Sequence, residues 1–342
     1  MRKILNFFIA SILSLSVFGQ DPHFSQFFAS PLTLNPAFTG KFDGVWRLAA
    51  NHRDQWPSIP KAYVTTSASF DFPILKKKIP EGDVFGVGIS GVSDASANNA
   101  LKLNYGSVSL SYHKALDDES YNTIGAGFQA NYASMVLDVT KLTFEDELQQ
   151  NGFAAGTSGE YLGTNPVTGN NKNYFEMNAG LLYSGSSNGE NNYYLGVSLY
   201  HINRPKVSLR KDNTISNWYL SNRVTIHGGG SFPISDRLGV NISVIEQLQN
   251  KASETVLGGA LSINANGDDE NPTNLYLGSW LRINDAIIPY LGLEFNGLRI
   301  GASYDVNTSD LKTATQNRGG TEFSVIYIKK PKESKGIPCP KF

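Results

Sequence analysis

The chain has 342 residues, with 29 Lys and Arg against 30 Asp and Glu and a formal net charge of −1. Near-neutrality without a basic helix excludes a nucleic-acid partner, and a single cysteine excludes an internal disulfide. No apolar run after residue 19 approaches the roughly 20 residues that a membrane-spanning helix needs. A place in a membrane therefore requires a closed barrel.

Arg2 and Lys3, an apolar run from Ile4 to Val17, and small residues around Gly19 have the three-part layout of an export signal. Cleavage is expected after Gly19, leaving Gln20 first and 27 bases against 30 acids, about −3. No cysteine lies nearby, so this is not a lipoprotein signal. A short uncleaved anchor is the lesser alternative.

Residues 20–43 follow with neither helix nor strand period. Phe24, Phe27, Phe28 and Phe38 interleave with Pro22, Pro31 and Pro36. Proline denies the segment a regular ladder. Each phenylalanine, at roughly 1.5–3 kcal/mol for burial, disfavours leaving it in water. An irregular ribbon packed against a large β structure is expected. Two readings fit: a plug or strap inside or under a barrel, or a docking surface for a partner. Asp21, Pro22, His23, Phe24, Ser25, Gln26, Phe27, Asn35, Pro36 and Phe38 are its candidate residues.

From residue 44 to 330 the pattern is period two, the signature of half-buried strands. Phe85, Val87 and Ile89 alternate with Gly86, Gly88 and Ser90; Tyr193, Leu195, Val197 and Leu199 share one face, with Gly196 and Ser198 on the other. Fourteen strands are predicted at 45–54, 62–72, 84–93, 101–113, 121–135, 174–186, 191–203, 221–233, 238–248, 254–265, 273–283, 286–295, 298–306 and 320–329. The even count and lengths near 9–13 suit a tilted barrel strand better than the 5–6 residues usual in soluble sheets. A soluble sandwich shares the period. Near Gly106 the alternation changes phase, which predicts a bulge.

The clearest hairpin is Tyr290–Ser303, turned at Asn296-Gly297, a favoured two-residue I′ pair. It sets Phe295 against Leu298, Leu293 against Ile300 and Leu291 against Ala302 on an apolar face. Glu294 meets Arg299, and Gly292 meets Gly301, on the other. With periplasmic termini, the long connections 136–173 and 203–220 fall outside and the tight turns inside, as in outer-membrane barrels. The basic link 72–83, with Lys76, Lys77 and Lys78, is long for the inner side. Prolines 331, 338 and 340 forbid a strand in the basic tail 331–342, whose end is Cys339, Pro340, Lys341 and Phe342. Phe323, Val325 and Tyr327 offer an internal insertion signal instead.

Arg53, Gln55 and Trp56 close the first strand at the rim, where an interfacial aromatic beside a lumen ion pair is one reading. With Arg282 and Arg299, Arg53 is also a candidate donor for a partner's carboxylate, and Glu294 joins the lumen set. The five histidines lack metal-ligand spacing and no G-x-S-x-G elbow occurs, so no metal, cofactor or catalytic residue is assigned.

Taken together, DPHFSQF and SPLTLNPAFTG (21–40), NHRDQW (51–56), SFDFP (69–73), SYHKAL (111–116), LDVTKLTFED (137–146), GVSLYHINRP (196–205), INDAIIPYLGLEF (283–295), IGASYDVNTSDL (300–311) and the closing PCPKF resemble the PorP/SprF family of the type IX secretion system of Bacteroidetes. Lys341 departs from the arginine expected there. The resemblance implies a non-enzymatic outer-membrane β-barrel that helps secrete, or hold at the surface, an effector or adhesin through its C-terminal targeting domain. It also implies periplasmic type IX lipoproteins and a peptidoglycan-binding protein as partners, and a role in gliding motility or surface enzyme display. On this reading residues 21–40 and the tail serve the periplasmic side. A passive diffusion channel for a small nutrient is the alternative.

Overall fold

The computed structural model describes residues 21–59, 62–154, 156–159, 171–208, 218–268 and 271–331. The expected export signal 1–19 and Cys339, Pro340, Lys341 and Phe342 lie outside the described residues.

Fourteen antiparallel strands close into one barrel. They are β1 (Trp46–Gln55), β2 (Tyr63–Ile74), β3 (Val84–Ser96), β4 (Leu101–Ala115), β5 (Thr123–Leu137), β6 (Asn171–Gly185) and β7 (Asn192–Tyr200), followed by β8 (Arg223–Ser235), β9 (Leu238–Gln249), β10 (Ala252–Asn264), β11 (Asn274–Arg282), β12 (Ala286–Phe295), β13 (Leu298–Asn307) and β14 (Arg318–Lys329). Each pairs with its sequence neighbours, and β1 closes on β14 with Trp46 opposite Lys329 and Gln55 opposite Gly320. At one end, the turn end, lie the tight turns 236–237 and 296–297, the start of β1 and the finish of β14. At the other, the loop end, lie the finish of β5, the start of β6, the finish of β7 and the start of β8. Among the described residues no helix is long and apolar enough to cross a membrane.

The Asn296-Gly297 turn has φ of 49° and 78°, the left-handed pair that a I′ turn requires. The register follows: Phe295 faces Leu298, Glu294 faces Arg299 and Gly292 faces Gly301. Leu291, Leu293 and Ile300 point outward and are exposed, whereas Tyr290 and Ser303 are buried inside. The same division runs round the barrel. Outward Leu195 is 61% exposed and Phe323 57%, while inward Arg53 is 2% exposed, Glu322 1% and Asn178 0%. Apolar surface outside and charge inside is the reverse of a soluble protein, and only a hydrocarbon surround makes it favourable.

Over β1–β6 this apolar band stops at an outward row of polar residues: His52, Thr66, Ser93, Asn104, Ser134 and Asn173 face one another in successive pairings. Their row explains the phase change near Gly106. No bulge exists near Gly106, since β4 keeps an unbroken register with β3 from Leu101 to His113 and with β5 from Leu101 to Ala115. Leu101, Leu103 and Tyr105 stay on the inner face and line a cavity, while Lys102 and Asn104 stand outside beyond the apolar band. The apolar phase switches because the surroundings switch, not the backbone.

Candidate functional site

The N-terminal ribbon occupies the lumen. It turns through Phe27–Ala29, one helical turn Pro31–Leu34 that uses the prolyl start, and Pro36–Phe38, where the Asn35 side chain accepts from the Ala37 N–H. Phe24, Phe27, Leu32, Ala37 and Phe38 are buried. Phe28 packs on Trp280 and Tyr290 at ring separations of 4.9 and 5.4 Å, and Phe38 on Tyr194 at 5.8 Å.

A ribbon without a ladder must satisfy its backbone elsewhere, and the lumen wall supplies the partners. The Glu322 carboxylate accepts the N–H groups of Ser25 and Gln26 at 2.7 and 2.8 Å and the Asn51 amide at 2.8 Å. Arg53 donates to the His23 carbonyl at 2.7 Å and to Asp305 at 2.9 Å. Arg282 donates to Asp305 at 2.9 Å and to Ser25 Oγ at 2.5 Å. Further along, Tyr200 Oη donates to Thr33 O, Ser198 Oγ to Leu34 O, and His113 Nε2 to Ala37 O. Arg47 joins Asp71 to the Phe38 carbonyl, and Asp71 accepts the Gly40 N–H at 2.7 Å.

Lumen glycines make room for this packing. A Cβ on Gly127 would stand 2.3 Å from Ala37 N, and one on Gly180 1.9 Å from Asn35 Oδ1. The wall is shaped around its own N-terminal segment.

The ribbon threads the barrel from end to end. Lys41–Gly44 lie where β1 begins, at the turn end, whereas Asp21, Pro22 and His23 line the mouth at the loop end. The expectation that residues 21–40 serve the same side as the tail is thus corrected: a segment bonded to inner-wall positions along the strands emerges opposite its point of attachment. At the mouth, Asp21 Oδ2 accepts from His201 Nε2 at 2.5 Å and pairs with Arg223 at 3.2 Å; the Asp21 N–H donates to Gln249 at 2.9 Å. His201 Nδ1 stands 3.1 Å from Glu176. Burial opposes the charged imidazole of His201, but the Asp21 and Glu176 carboxylates outweigh it and push its pKa up to about 9. Burial likewise disfavours the Asp21 carboxylate, yet His201 and Arg223 hold it below the usual range. His23 pairs with Glu254 at 3.0 Å.

Above the ribbon, a cavity of about 550 Å³ fills the mouth. Trp56, Tyr63, Tyr105, Tyr174, Tyr200 and Trp218 supply aromatic surface, and Asp94, Asn131, Glu176, Glu254 and Asp285 polar groups. Trp56 and Gln55 face this cavity; Trp56 stacks edge-on against Tyr63 at 5.5 Å.

The proposed carboxylate donors have other employment. Arg53 and Arg282 are tied to the ribbon and Asp305, and Arg282 also to Glu254 at 3.3 Å. Arg299 is held by Glu294 and by Tyr276 near the turn end. A guanidinium buried against a carboxylate has no free face for a partner's carboxylate. Glu322, Asp305, Asp71, His113 and His227 were missed in the sequence, although their phase opposite the apolar face places them inside; Phe323, Val325 and Tyr327 alternate with Glu322, Ser324 and Ile326. Among the described residues no group of three metal-ligating side chains converges.

A cylinder apolar outside, polar inside and filled by its own N-terminal segment is an outer-membrane β-barrel. Within that class, the chain belongs to the type IX secretion system membrane protein PorP/SprF family, whose profile matches residues 16–327. The family places it among the membrane components of that secretion system, in the outer membrane. No curated protein matches the sequence. Similar solved structures include the CymD monoaromatic hydrocarbon channel, with a TM-score of 0.50, 10% identity and coverage of 89% of this chain and 94% of that one. The Pseudomonas putida toluene transporter TodX gives 0.49, 11%, 87% and 92%, and the Ralstonia pickettii toluene transporter TbuX 0.47, 13%, 87% and 91%. At such identity the likeness is one of fold.

Proposed function

We propose that this protein is a non-enzymatic holder in the outer membrane that binds a secreted effector or adhesin, through its C-terminal targeting domain, and helps export or retain it at the cell surface. The observation that carries this reading is the ribbon: a lumen bonded from wall to wall by residues 21–43 suits a platform better than a conduit. The loop end, with its mouth cavity, faces outward in this reading, and the turn end faces the periplasm. There the basic residues Lys76, Lys77 and Lys78 and the tail meet periplasmic lipoproteins and a peptidoglycan-binding protein. The signal 1–19 is removed on export.

Two experiments test it. Affinity purification in mild detergent is expected to recover a secreted polypeptide bearing a C-terminal targeting domain; a preparation free of any such polypeptide would sink the proposal. For orientation, a membrane-impermeant maleimide applied to whole cells should label Lys251→Cys at the loop end and spare Lys77→Cys at the turn end. The reverse pattern would invert the assignment.

A second reading, a passive channel for a small nutrient, draws on the 550 Å³ mouth cavity and on CymD being a hydrocarbon channel. Steady large conductance of the purified protein in planar bilayers, or swelling of liposomes in small sugars, would favour it over the holder.

A further inference from the structure

The apolar belt is not of even height. Counted up from the turn end, β12 presents Phe295, Leu293, Leu291, Pro289 and Ile287 outward before its first polar residue. Its neighbour β13 presents Leu298, Ile300, Ala302, Tyr304 and Val306. At the seam the run is shorter. Above Lys329 at the rim, β14 presents Tyr327, Val325 and Phe323 and then Thr321; β1 presents Trp46, Leu48 and Ala50 and then His52. At a rise of about 3.3 Å per residue and a tilt of about 40°, each outward position adds about 5 Å of height. Two fewer positions leave the belt roughly 10 Å lower at the seam. From β1 its edge runs on through Thr66, Ser93 and Asn104, and the outward row beyond reads Asp54, Val64, Ala95 and Lys102, charged at both ends. His52 Nδ1 and Thr66 Oγ1 share a hydrogen bond at 2.8 Å, and both residues are exposed. Glu246, an outward carboxylate on β9, differs: it accepts from Thr255, and Leu248 and Ile283 resume the apolar face beyond it.

Hydrocarbon at full thickness would press on His52, Thr66 and Asp54 without supplying a donor or an acceptor, which is unfavourable for each. A bilayer meets a short apolar stretch at smaller cost by thinning. Headgroups drawn down onto the row bring water to Asp54 and His52, and Lys102 offers their phosphates a cation. A partner's membrane helix, apolar along its length, would leave the same groups unsatisfied. We propose that the seam is a lipid-headgroup site: phosphate-bearing headgroups of the loop-end leaflet sink onto His52, Thr66 and the row above, and the bilayer is thinned along β14, β1, β2 and β3. The site lies on the outer wall and stands apart from the holder reading, which concerns the lumen and its mouth.

Spin labelling tests it. The full mature protein carries Cys339→Ser, which removes its one thiol, and a single nitroxide at Thr321→Cys or Ser93→Cys, the fourth and fifth outward positions of β14 and β3. Leu281→Cys and Ile287→Cys supply the fourth and fifth outward positions of β11 and β12 as references. Each protein is reconstituted in phosphatidylcholine vesicles. Collisions of the label with oxygen, which concentrates in hydrocarbon, are compared with those of a neutral, water-soluble nickel chelate. Nickel collisions are expected to outnumber oxygen collisions at positions 321 and 93, with the order reversed at 281 and 287. Making the seam apolar with His52→Leu and Thr66→Val should move the label at position 93 toward the oxygen-dominated pattern. Unchanged heat-modifiable gel mobility certifies that these variants fold. Oxygen-dominated labels at 321 and 93 would overturn the site, and so would a label at 93 that the double substitution leaves unaltered. Labels shielded from both reagents would overturn it too, by showing that a second copy or another protein covers the wall.

Discussion

Asp305 is flanked by Arg53 and Arg282, each 2.9 Å away, and all three side chains are buried. Removing the central charge leaves two guanidinium groups buried with incomplete compensation. Asp305→Asn should therefore destabilise the barrel by about 3–5 kcal/mol, read as a lower urea midpoint in detergent with gel mobility as the probe. An unchanged midpoint would mean that the pairs are dispensable. Glycines allow a cleaner contrast. Gly180→Ala drives a Cβ into Asn35, whereas Gly106→Ala meets nothing within 4 Å. The first should cost about 1–3 kcal/mol through overpacking and expose the ribbon to protease; the second should do neither. At this scale the sequence was half legible. Composition marked the ribbon phenylalanines for burial: Phe24, Phe27 and Phe38 are buried and Phe28 is half-buried. Arg53 and Arg282 looked like free donors because Asp305, Glu322 and Glu254, the buried carboxylates that hold them, sit 23 to 269 residues away in sequence, a separation that periodicity does not bridge, whereas the Glu294 partner of Arg299 was legible from the hairpin register.

Among the elements, strands were the most readable. Period two, turn chemistry at Asn296-Gly297 and the spacing of polar links placed all fourteen. The inferred bulge near Gly106 failed because alternation reports environment rather than backbone. Above the apolar band the outer face turns polar and the inner face becomes the aromatic wall of the mouth, so the pattern inverts while the register continues. The ribbon is the element with a pH dependence. His201 has a raised pKa, so its contribution to seating Asp21 is complete below its ordinary value near 6.5 and is lost as pH rises through about 9. Asp21, with its pKa lowered, contributes above its ordinary carboxylate value and loses that contribution only as pH falls well below it. The N-terminal clasp should accordingly hold through mildly acidic and neutral pH and loosen in alkali. Hydrogen exchange at residues 21–24 between pH 6 and 10 would register this as rising exchange beyond the intrinsic pH trend. Asp21→Asn should flatten that excess; the same excess in the variant would assign the loosening to another group.

For the whole molecule, the consequence of a filled lumen is electrical. Wild-type protein in a planar bilayer should show no steady large conductance, and deletion of residues 21–43 should either open a pore or abolish the heat-modifiable form. A deletion variant that stays folded and silent would show that something other than the ribbon blocks the path. The barrel class was readable from composition: near-neutral charge, absent apolar helices and an even number of long strands leave few alternatives. The course of the ribbon was not, because a segment without period carries no direction, and only its bonds to both rims reveal that it runs the full height.

Glu322 on the last strand grips Ser25 and Gln26 and also Asn51 on the first strand. The seam of the hoop is therefore pinned by the strip it encircles, like a stave and its peg. A sheet rolled shut beforehand would have to admit some twenty residues, phenyl rings included, through a hole already lined to fit them. The simpler order of events is that the leading residues settle on the half-open wall and the final strand then zips over them. In that order, losing the peg hinders the closing step itself, before any finished cylinder exists to be weakened.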